Sequence, residues 1–107
     1  MGRLRFFAHL YWGKDIPEKD QLQIKWRLKV YKPSYPVYLV TLPQGSDQLD
    51  IVNSLFLHES YYRKNPPFVV GIARSKDGAF ELVREMMQEC VSQTGAADML
   101  AYLGTLS

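Results

Sequence analysis

Three short stretches hold side chains that can do chemistry. The first is Arg74-Ser75-Lys76, placed between an apolar run ending at Ala73 and a helical pattern opening after Gly78. Free amides at such a junction attract anions, and two cations add to the pull. The spacing of Gly71 and Gly78 fits neither phosphate-loop pattern, however, and the same residues serve an ordinary turn and helix cap. The second stretch is Tyr61-Tyr62-Arg63-Lys64. Paired aromatics beside cations can stack on bases or hold phosphates. The third is Lys25, Arg27 and Lys29, which could join it in a basic stripe. Lysine and arginine stems that cover a core edge would look the same.

Other reactive groups are sparse. His9 and His58 are the two histidines, and neither has a partner at metal-binding spacing. Gly45-Ser46 lacks the flanks of a nucleophile elbow. Asp47 and Asp50 are isolated carboxylates, and Asp47 reads as a turn or cap residue. The single cysteine, Cys90, falls on an apolar stripe and reads as a small core residue. One cysteine also excludes an internal disulfide framework and any cysteine-rich zinc site. No catalytic residue, metal or cofactor is expected from this inventory.

Residues 68–95 are the elements that must position these groups. Phe68, Val69, Val70, Gly71, Ile72 and Ala73 form a short apolar run bounded by Pro66-Pro67 and a polar turn, the pattern of a strand covered on both faces. Ser75 can cap the following helix, and Asp77 suits its positive end. Ala79, Leu82, Val83, Met86, Cys90 and Val91 recur at helical steps, with Phe80, Met87 and Thr94 widening the face. Gly95 is the natural stop. A second β-rich run covers 37–42, and 25 residues separate it from 68–73, enough for a crossover between parallel strands.

Leu4–Trp12 reads as a strand ending at Gly13, and 96–106 as a short terminal helix. His58–Pro67 reads as a polar loop. Segment 47–57 fits either a short helix capped at Ser46 or Asp47 or an edge strand through Leu49-Asp50-Ile51-Val52. Segment 17–31 is contested. Leu22, Ile24, Trp26, Leu28 and Val30 alternate with polar residues as in a half-buried strand. Pro17, early acids and late Lys/Arg are helix-end signals. A helix would place Leu22 and Trp26 nearly opposite Ile24 and Leu28.

The chain has 107 residues, 47% of them hydrophobic and 22% charged, which fits a single domain over 1–107 with one modest core. The 13% aromatic share is high enough for some rings to meet a partner. Net charge is +2 but uneven: residues 1–35 sum to +5 and the remainder to −3. Such a split can steer nucleic acid or pair two like subunits. No apolar run approaches about 18 residues and no signal-peptide core follows Met1, so neither a membrane span nor export is expected, and the cytoplasm is the default location.

The succession VYLVTLP, LDIVNSLFL, YYRKNPPFVVGIA and ELVREMMQECVSQTG resembles a group of small bacterial proteins of uncharacterised function. The resemblance spans most of the chain and implies a lysine-rich helix over 18–31. It brings no activity and no functional residues.

The expected fold is therefore a small two-layer α/β or α+β domain. Three strands, or four, would be packed by one long helix over 76–94 and by shorter helices. Part of its sheet stays uncovered unless 17–31 or another subunit caps it. The expected function is a non-enzymatic interaction module forming a homodimer. The rival is a nucleic-acid-binding accessory protein using Lys25–Lys32 with Tyr61–Lys64. A third reading is an enzyme acting on a phosphorylated small molecule at Arg74–Gly78.

Overall fold

The computed structural model describes residues 4–30, 35–42 and 48–106. The cap expected at Ser46 or Asp47 lies outside them. The chain is an α+β domain in the order β1 (Arg5–Trp12), α1 (Glu18–Lys29), β2 (Tyr38–Thr41), β3 (Asp50–Asn53), a 3-10 turn (Ser54–His58), α2 (Ser60–Lys64), β4 (Phe68–Ala73), α3 (Lys76–Thr94) and α4 (Met99–Leu106). The strands form one mixed sheet, β1-β4-β2-β3. The contested segment forms a helix over Glu18–Lys29, with Pro17 and Val30 as its caps. The segment expected as helix or edge strand supplies both the edge strand Asp50–Asn53 and the 3-10 turn Ser54–His58, and the loop expected over 58–67 contains the short helix α2.

One expectation is corrected. The runs 37–42 and 68–73 are not parallel neighbours: β2 pairs antiparallel with β4 through Leu39↔Ile72 and Val40↔Gly71. The parallel partner of β4 is β1, through Phe6↔Val69 and Trp12↔Ile72. A crossover does exist, but it joins β3 to β4. Because β3 reverses against β2, a chain leaving β3 in that direction reaches the far side of β2 still antiparallel to it. The intervening residues are spent on the edge strand, the 3-10 turn and α2 rather than on one long helix.

The sheet is packed on both faces. Val40, Val70 and Phe7 meet Ala79, Leu82, Met86 and Cys90 of α3 and Met99, Tyr102 and Leu103 of α4. Leu39, Val69 and Ile72 meet Ile24 and Leu28 of α1, with Ile16, Val37 and Leu57. Helix α1 is thus what caps the second face. On α3 the buried set is Ala79, Leu82, Met86 and Cys90, with Val83 and Met87 half-buried. Phe80 and Val91, expected on that face, are 55% and 47% exposed. Each helical residue turns about 100°, which carries Val91 well past Cys90 and swings Phe80 out over the edge strand β3. The caps are as expected: the Gly78 N–H donates to Ser75 Oγ at 3.0 Å, and Gly95 takes φ 75°. The Tyr11 hydroxyl donates to Glu89, tying β1 to α3. Burial, then that bond, pushes the Tyr11 phenol well above its usual range.

Candidate functional site

Strands β1 and β4 run parallel and end side by side at Trp12 and Ile72. From there the chain leaves in opposite directions. After β1 it enters α1, on one face of the sheet. After β4 it enters α3, on the other. Two adjacent parallel strands whose helices diverge leave a crevice beyond their carboxyl ends, the usual ligand position in open sheets.

A side chain of the protein itself occupies that crevice. Asp15, in the turn after β1, accepts hydrogen bonds from the Arg74 N–H at 2.9 Å, the Ser75 N–H at 3.0 Å and the Ser75 hydroxyl at 2.9 Å. Partial burial pushes its carboxyl up, but these donors outweigh it and hold Asp15 below the ordinary carboxylate range. Gly78 permits the approach, since a Cβ there would collide with the Asp15 carboxylate. Two of the amides at this junction, those of Arg74 and Ser75, are therefore already satisfied by an internal anion. Asp15 is the residue the sequence reading missed. It lies 60 positions from Ser75, and nothing near it in the chain signals the contact.

The three members of the expected anion cluster are not brought together. Ser75 is committed to Asp15 and to the first turn of α3. Lys76 lines a shallow groove with Ile51, Phe56 and Phe80 on the α3 face. Arg74 turns to the α1 face, with Cζ 3.8 Å from the centroid of the Tyr35 ring. There it lines a cavity of about 170 Å³ together with Asp20, Gln23 and Arg27 of α1. The buried Ile24 and Val37 supply the apolar part of its wall.

The expected basic stripe is split as well. Lys25 and Lys29 sit over the Phe6 ring, at 5.6 and 5.8 Å from its centroid. Arg27, two residues from each, lies on another side of α1 and lines the Arg74 cavity. On α2, Arg63 and Lys64 are exposed. Tyr61 and Tyr62 stand edge to face at 5.1 Å, with Tyr62 packed on the core and Tyr61 65% exposed. Edge-to-face rings hold each other and do not present two parallel platforms for bases.

The most unusual surface is on α1. Its sheet side is Ile24 and Leu28; its outward side carries Leu22, 82% exposed, and Trp26, 62% exposed. Four residues apart, they form one patch. Glu18 lies a turn before them and Lys29 follows. Among the described residues no helix is long and apolar enough to cross a membrane. Comparison with family models, curated proteins and solved structures finds no significant match.

Proposed function

We propose that this chain is a non-enzymatic interaction module that forms a homodimer through the outward face of α1. The carrying observation is the Leu22–Trp26 patch: two large apolar side chains held in water on a rigid helix, beside a core that does not need them. Its arrangement is self-complementary. An antiparallel two-fold pairing centred between these residues sets Leu22 and Trp26 of one copy against those of the other. It also brings Glu18 of each copy opposite Lys29 of its mate, and the helix dipoles then oppose favourably. Strand-to-strand pairing is the weaker route. The β1 edge is open, but its register shifts between Phe6 and Tyr11, and such irregularities turn an edge away from partners. A cytoplasmic setting belongs to this reading, since Cys90 is a free, buried thiol.

Light scattering on the eluting protein tests it. At tens of micromolar the expected mass is twice 12.4 kDa, and Leu22→Glu with Trp26→Glu should return it to 12.4 kDa with unchanged helix content. A wild-type mass of one chain at that concentration would refute the proposal.

A further inference from the structure

We infer that the cavity between α1 and the β4–α3 turn is a binding site for a small oxyanion-bearing molecule, gripped by Arg27 and Arg74. Both arginines line this one cavity of about 170 Å³. Neither forms an ion pair among the described residues. With Asp20 the wall carries a net charge of +1, in a concave setting that concentrates its field. Arg74 is held over Tyr35 by a contact to the ring face, which fixes the head group while leaving its in-plane N–H donors unspent. A fixed fork of donors matches a phosphate or carboxylate in bidentate fashion, and a second arginine completes the clamp.

The remaining polar groups narrow the ligand further. Asp20 is an acceptor and would repel a bare anion, so the ligand carries a hydroxyl or amino donor on the side away from its oxyanion. Gln23 can serve either part. The volume lies below the roughly 300–1,000 Å³ of drug- and cofactor-sized pockets, too small to enclose a nucleotide and suited to a short phosphorylated or carboxylated hydroxy compound. The site is distinct from the α1 outer patch, because neither Leu22 nor Trp26 lines the cavity.

The test is a titration of the isotope-labelled full chain, followed by amide and arginine Nε–H resonances at constant ionic strength. Glycerol 3-phosphate and glycerate serve as the phosphate and carboxylate probes, and sodium chloride as the control. The expected result is saturable shifts centred on Gln23, Arg27, Tyr35 and Arg74 with at least one probe; which probe saturates first identifies the oxyanion. Arg27→Gln and Arg74→Gln should each weaken binding about tenfold or more, while Lys76→Gln leaves it unchanged. Three results would overturn the inference: no saturable shift, shifts that the chloride control reproduces, or shifts that survive both arginine variants. The wild-type map stands even if an arginine variant folds poorly.

Discussion

The two helices that cover the sheet, α3 and α1, do the same structural task by different means. α3 has 19 residues, a side-chain cap at Ser75, a left-handed glycine stop and four buried residues in one stripe. α1 has 12 residues, no side-chain cap, and two buried residues, Ile24 and Leu28. Its other large apolar side chains point away from the sheet. An apolar residue placed where it stabilises nothing in the monomer is a residue available for a partner. The comparison teaches that α3 gives most of its apolar surface to the fold, with Phe80 and Val91 about half exposed at the margins of its stripe, whereas α1 divides its four large apolar side chains evenly between the fold and the outside.

The largest effects that can break this contrast are core truncations. Met86→Ala and Leu28→Ala should each cost about 2–5 kcal/mol in urea unfolding, since both side chains are fully buried. Leu22→Ala, measured at a concentration low enough for single chains, should stay within about 0.5 kcal/mol of wild type. Equal losses at Leu22 and Leu28 would erase the division of α1 into two faces.

Asp15→Ala comes next, at about 1–2 kcal/mol, because it unmakes three charge-assisted bonds at a partly solvated site. The same link predicts a pH dependence. The folded carboxyl lies below its unfolded value of about 3.9, so its contribution is full above that pH and is lost as pH falls through the lower folded value. Unfolding followed between neutral pH and pH 2 should show this acid loss in wild type. In Asp15→Asn the loss should be smaller, and an identical acid limb in both proteins would remove Asp15 from the account. Gly95→Ala is the smallest of the destabilising changes, about 1 kcal/mol, from the left-handed backbone at the end of α3; thermal unfolding would register it.

The same contrast explains what could be read from the chain. α3 was legible because period, cap and stop agree on one helix. α1 was ambiguous because Leu22, Ile24, Trp26 and Leu28 alternate like a strand. That alternation is what a helix with two apolar faces produces, and no period distinguishes it from a strand until the partner of each face is known. The direction of β4 against β2 was misread because the 25-residue gap permits a crossover without saying which strands it joins. The Asp15–Ser75 link and the Arg27–Arg74 cavity each join distant parts of the chain. Such constellations are set by topology and leave no local pattern.

Isotope-filtered cross-relaxation in a mixed sample, half labelled and half not, addresses the divided role of α1 most directly. The account predicts contacts between Leu22 methyls of one copy and Leu22 or Trp26 of the other, with none from Ile24 or Leu28. Intermolecular contacts that omit Leu22 and Trp26, or no such contacts at millimolar protein, would contradict it.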